Sequence, residues 1–179
     1  GVTEGVTETV TAEAFNAALI WTGATGNGLY NDAGNWSTAT VPSAADTITL
    51  NGTDCTGANC NMTINVSTTT AGFTMATGYT GTVTQTDGIT FTISGTFSQA
   101  AGTFMGGTGT TTFQSNFTLT SGTFNSATTT IFGSGNATYD VNSTATFYNV
   151  TLSKDNTAYL TMAANDTMVV TGTLTLTEG

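Results

Sequence analysis

The feature that most restricts how this chain folds is a repeat of itself. Setting SNFTLTSGTFNSATTTIF (115–132) beneath GTFSQAAGTFMGGTGTTTF (95–113) aligns Phe97 with Phe117, Gly102 with Gly122 and Phe104 with Phe124, and one gap then aligns Phe113 with Phe132. The period is about twenty residues. A degenerate earlier copy, GFTMATGYTGTVT, offers Phe73, Met75, Gly78 and Val83 at matching places. A partial later copy, GTLTLTEG, offers Leu174, Leu176 and Gly179 for Phe117, Leu119 and Gly122. Self-similarity at a fixed period means that one small unit is stacked on copies of itself. Within each period apolar residues alternate with Thr, the pattern of strands with one face buried. The expected fold class is therefore all-β: a single-stranded β-solenoid, or β-helix, with about twenty residues per rung and a small N-terminal cap. A β-sandwich also uses short alternating strands and stays the alternative, although its strands have no reason to resemble one another. In the solenoid, Leu119, Phe124, Ile131, Phe132, Val141, Phe147, Val150 and Leu152 are expected to face inward and Thr outward. Each large side chain then contributes roughly 2 to 3 kcal/mol by burial.

Composition agrees with strands and turns, since Thr supplies 47 of 179 residues, with 22 Gly and one Pro. Charge narrows the partners. Lys154 is the sole basic side chain against eleven carboxylates, a net charge of -10, so nucleic acid and anionic lipid surfaces are expected to be repelled. With no His the familiar nucleophile–imidazole arrangements and imidazole metal sites are excluded, and with no Arg there is no phosphate clamp. No apolar run reaches the eighteen or so residues of a spanning helix, so membrane insertion is not expected. An enzyme is not expected either.

Three regions follow. Residues 1–11, GVTEGVTETVT, alternate Val2, Val6 and Val10 with Thr or Glu and read as an extended strand with little of its own to bury, available for pairing with another molecule. Residues 12–50 form the cap and first turns. They open on a short stretch of helical composition, Thr11 to Ile20, that reads almost as well as a strand leading into Trp21. Residues 51–179 are the solenoid repeats.

The run WTGATGNGLYNDAGNWSTATVPSAADTITL (21–50), with Trp21, Tyr30 and Trp36 among Gly, Asn and Asp turns, resembles the opening segment of secreted bacterial β-solenoid proteins of the autotransporter-passenger and adhesin type. The GTF and GTL steps and TATFYNVTL (144–152) are similar to repeats of bacterial surface proteins of the same group. The resemblance implies an extracellular or cell-surface scaffold, a passenger, adhesin or coat component, and no chemistry. Physically, the aromatics suit a lid over the open end of a stack, and Asp46 a turn or cap role.

Candidate sites are few. Cys55 and Cys60 enclose four residues, close enough for a disulfide pinning a corner, whereas a redox pair has two intervening residues and zinc needs more ligands. The carboxylates Asp32, Asp46, Asp54, Asp87, Asp140, Asp155, Asp166 and Glu178 are scattered among turn residues, and paired acids for glycoside hydrolysis are not expected. Pectate-lyase-like solenoids share the architecture, but they depend on basic side chains that this chain lacks. No cofactor is expected; calcium around Asn31, Asp32, Asn35 and Asp46 lacks a regular acidic loop. Asn-X-Ser/Thr occurs at Asn35, Asn51, Asn61, Asn65, Asn116, Asn136, Asn142, Asn149 and Asn165, more often than random placement gives, which makes these candidate N-glycosylation sites. Thr-X-Thr at Thr47, Thr90, Thr118 and Thr173 raises ice binding, though the motif looks irregular from rung to rung.

The expected function is a structural subunit of a cell-surface filament. Copies would assemble head to tail, residues 1–11 of one completing the sheet of the next. A monomeric adhesin or coat module binding surface glycans is the alternative, and an ice-binding protein a further one. The chain stops part way through a repeat, which fits an open end and equally a piece of a longer protein.

Overall fold

The computed structural model describes residues 18–133, 135–142 and 144–178; the strand assigned to Val2, Val6 and Val10 and most of the candidate helix lie outside them. Among the described residues nineteen short strands wind as a β-solenoid of about six turns, with a spacing near 22 residues. Every strand pair is parallel, because each rung runs the same way round and lays its strands beside those of the rung before.

Three faces result. The first holds β1 (Ala18–Ile20), β2 (Thr47–Leu50), β5 (Gly72–Met75), β8 (Phe97–Gln99), β11 (Phe117–Leu119), β14 (Ala137–Val141) and β17 (Leu160–Met162). The second holds β3 (Met62–Ile64), β6 (Thr82–Gln85), β9 (Thr103–Met105) and β12 (Thr123–Asn125), and after a break in the ladder β15 (Thr144–Phe147) and β18 (Thr167–Val170). The third holds β4 (Thr68–Thr70), β7 (Thr90–Ile93), β10 (Thr110–Phe113), β13 (Thr129–Phe132), β16 (Asn149–Lys154) and β19 (Leu174–Glu178). A rung visits the three faces in that order.

The register carries out the alignment read from the repeat: Phe97 lies beside Phe117, Phe104 beside Phe124 and Phe113 beside Phe132. Gly102 and Gly122 stack at one corner. Both have positive φ, +69 and +92, and a Cβ on Gly122 would lie 2.6 Å from the Gly102 carbonyl oxygen, so the corner requires glycine twice over.

Two parts of the alignment are corrected. The counterpart of Gly102 in the preceding rung is Gly81, whose carbonyl accepts from Thr103 N–H, and not Gly78; an insertion of a few residues shifts the match. Leu174 and Leu176 belong to the third face beside Val150 and Leu152, and not to the first face beside Phe117 and Leu119. A Leu-Thr-Leu strand reads alike on any face, so only the length of chain wound before it decides which one it joins.

The core is a column of stacked aromatics. Phe73, Phe97, Phe117 and Tyr139 follow one another on the first face with ring centroids 6.1, 5.1 and 5.6 Å apart and planes within 12° of parallel. Phe104 and Phe124 stack at 5.3 Å on the second face, and Phe147 continues from Phe124 at 5.6 Å where the hydrogen-bonded ladder breaks. Offset and edge-on ring pairs are the favoured geometries, and parallel in-register strands impose them between equivalent positions.

The expected division of apolar inside and Thr outside holds with exceptions. Thr70, Thr111 and Thr130 are buried, and Ile131 is only partly buried and outside the apolar cluster. Phe132 faces inward, and side chains alternate along a strand, so Thr130 must follow it inside and Ile131 must point out. Gln85 and Gln99 are also interior. Gln99 Nε2 donates to the Gly102 and Thr123 carbonyls, and Gln85 Nε2 to those of Ile89 and Thr110, so each amide ties a corner of its own rung to the next.

Candidate assembly surfaces

The two ends of the coil differ. At the N-terminal end, Trp21, Tyr30 and Trp36 are fully buried and meet edge to face, with centroids 5.1 and 5.3 Å apart. Their indole donors are satisfied: Trp36 Nε1 donates to the Tyr30 carbonyl at 2.8 Å and Trp21 Nε1 to that of Asn59 at 2.9 Å. The loop carrying them is organised by buried Asn35. Its Oδ1 accepts from the Thr25 backbone and hydroxyl, and its Nδ2 donates to Asn27 Oδ1 and the Leu29 carbonyl. Asp46 has a turn role, its Oδ2 accepting from Ser43 N–H and Oγ. Among the described residues these rings, with the polar network beside them, fill the first rung in the manner of a lid.

The C-terminal end has no such lid among the described residues. Leu174 and Leu176 occupy the inward columns below Val150 and Leu152, yet they are 52% and 70% exposed, and Met162 below Tyr139 is 43% exposed. These side chains have interior positions without an interior. Among the described residues no strand pairs with the outer edges of β17, β18 and β19.

Most sequon asparagines have a structural use. Asn61, Asn116, Asn136 and Asn149 sit at corners, and each Oδ1 accepts the backbone N–H of the next rung, from Thr82, Thr138, Tyr159 and Thr173, at 2.9 to 3.0 Å. In each case the following residue, Met62, Phe117, Ala137 or Val150, is buried and the Thr after it faces outward. Asn-X-Thr is thus what a corner, an inward residue and an outward residue look like in sequence. Asn65 Nδ2 donates to Asn31 Oδ1 and Asn51 Nδ2 to Asp54 Oδ2. Asn142 and Asn165 are exposed.

Acidic groups are distributed in the same fashion. Asp87 Oδ1 accepts from Thr108 N–H and Asp166 Oδ2 from Val141 N–H. Gly34 N–H and Asn27 Nδ2, donating to Asp32, hold its carboxyl below the usual range. Asp32 and Asn35 share one hydrogen-bond network through Asn27, Asn31 and Asp46 bond elsewhere, and among the described residues no three acidic, Cys or His side chains converge. Cys55 and Cys60 are joined as a disulfide with Cα atoms 5.0 Å apart, and the Tyr79 hydroxyl donates to the Cys60 carbonyl beneath that corner at 2.5 Å. Burial raises the phenols of Tyr30 and Tyr79 above their ordinary range and pushes Tyr139 up to about 12. Lys154, whose Nζ donates to the Gly135 carbonyl, is lowered by partial desolvation.

The fold is a β-solenoid of about six turns, with an aromatic cluster buried in its first described rung and apolar side chains exposed on its last. Comparison with protein-family models, curated proteins and solved structures finds no match for this chain.

Proposed function

We propose that the chain is a non-catalytic structural protein of the cell exterior, of the surface-solenoid type that its turns and repeats resemble, and that it acts as the subunit of a filament. The observation that supports this reading is the stack of parallel, in-register rungs itself, since each strand edge of such a stack is a template for another strand of the same kind. Adding a further strand to such an edge satisfies its backbone groups and buries the apolar side chains that stand in register with the columns beneath. The partner is a second copy, and the strand supplied is its residues 1–11, with Val2, Val6 and Val10 as the apolar positions. No cofactor takes part. A net charge of -10 restricts lateral clumping and leaves end-on contact favoured.

Electron microscopy of the purified full chain is expected to reveal long uniform filaments, and a chain lacking residues 1–11 to remain folded and monomeric. Filaments that persist after the deletion overturn strand complementation. A full chain that stays monomeric at high concentration favours the second reading, a surface-binding adhesin or coat module, to which the exposed rings of Tyr148 and Tyr159 lend themselves.

A further inference from the structure

The outer surface of the third face carries an array that end-on assembly leaves untouched. Parallel register sets Thr69, Thr92, Thr112, Ile131, Thr151 and Thr175 in one row across all six strands. Two residues earlier along each strand, Thr90, Thr110, Thr129 and Asn149 form a second row. Ser67 and Thr173 extend that row, tied to it by hydrogen bonds from Thr90 N–H to Ser67 Oγ and from Thr173 N–H to Asn149 Oδ1. The motif that looks irregular along the sequence is regular in space, because unequal rung lengths are absorbed at the corners.

The spacing follows from sheet geometry. Neighbouring strands lie about 4.8 Å apart and alternate residues on a parallel strand about 6.6 Å apart, so the two rows make a rectangular grid of hydroxyls and methyls. Threonine is restricted about χ1, and its backbone here is fixed by ladders on both sides, so the grid is rigid. Neither row contains a charged residue. The other faces carry less complete arrays: the row of Thr49, Thr74, Ser98 and Thr118 on the first face runs into Asp140, and on the second the row of Thr82, Thr103 and Thr123 stands beside one in which Thr63 and Thr84 run into Met105 and Asn125.

We infer that the third face binds ice, holding lattice-ordered water on the rows Thr92, Thr112, Thr151 and Thr90, Thr110, Thr129. Water bonded tetrahedrally at about 2.75 Å places next-nearest oxygens about 4.5 Å apart, close to the strand spacing of the grid. Immobilising a water costs entropy, and a rigid, regularly spaced row of hydroxyls that holds water in order shares that cost with the crystal. Methyl groups between the hydroxyls, Ile131 included, favour caged water, whereas a charge would bind water in an orientation that ice does not use.

The test is thermal hysteresis and ice recrystallisation of the purified protein, with Thr112→Tyr and Thr92→Tyr on the grid and Thr118→Tyr on the first face as control. The expected result is a freezing-point gap and faceted crystals for the natural chain and the control, both lost in each grid variant. Circular dichroism matching the natural chain establishes that the loss is not unfolding. The inference is overturned if the natural chain shows no hysteresis, or if a folded Thr112→Tyr or Thr92→Tyr retains it.

Discussion

Replacing Phe117 by Ala tests the aromatic column at its centre. The ring is fully buried and lies 5.1 Å from Phe97, 4.8 Å from Phe113, 5.1 Å from Phe124 and 5.6 Å from Tyr139. Truncation of a buried Phe costs about 3 to 5 kcal/mol, the upper part applying where the surroundings cannot collapse. Here they cannot, because the strands above and below are held by backbone ladders and the rings across the core belong to the other faces. Against a net stability of about 5 to 15 kcal/mol, the loss is a large share of the total. With a urea dependence of about 2 kcal/mol per molar, the unfolding midpoint falls by about 2 M. Ile131→Ala is the matched control. That side chain points out, so its loss is expected to cost about 0.5 to 1 kcal/mol. Equal midpoints for the two variants, or a Phe117→Ala cost below about 1 kcal/mol, would refute the placement of these side chains.

Thr130→Val is expected to stabilise the chain by about 1 kcal/mol in the same assay, since Thr130 Oγ1 is buried without a partner and valine keeps its shape; a lower midpoint counts against this. Gln85→Leu removes the donor to two carbonyls and the acceptor of the Thr111 hydroxyl, with an expected cost of about 2 to 3 kcal/mol by urea unfolding. Gly109→Ala is expected to lower stability by about 1 to 3 kcal/mol, because its Cβ would meet the Ile89 carbonyl oxygen at 1.9 Å; unchanged thermal unfolding would show that the corner can open. For pH, Tyr139 and Tyr79 have folded-state values raised above 10.0 by burial. Their contribution is complete below pH 10 and is lost as pH rises toward and past 12, because the unfolded phenols ionise first. Urea midpoints are expected to be flat from pH 7 to 9 and to fall from pH 10 upward, and Tyr139→Phe to weaken that fall.

The β-solenoid was legible before any coordinates because equal positions in successive rungs meet the same neighbours, so the physics of one rung is repeated in the residues of the next. Phe97, Phe117 and their partners carry that signal, as do Gly102 and Gly122. The burial of Trp21, Tyr30 and Trp36 was legible too, since aromatics clustered among turn residues have few other ways to leave water. What the chain could not reveal by reading was parity and bookkeeping around the corners. Whether Thr130 or Ile131 enters the core depends on Phe132 taking the inward side, and a strand such as Leu174 to Leu176 carries no mark of its face. The sequons and the Thr rows show the same limit. Asn116 and Thr138 are 22 residues apart and Thr112 and Thr151 two rungs apart, so only winding brings an amide oxygen under the next backbone N–H or sets hydroxyls into a grid. Local alternation dictates that strands form and which pattern they bury; the through-space register of unequal rungs, summed over every corner before it, decides which side chains become neighbours.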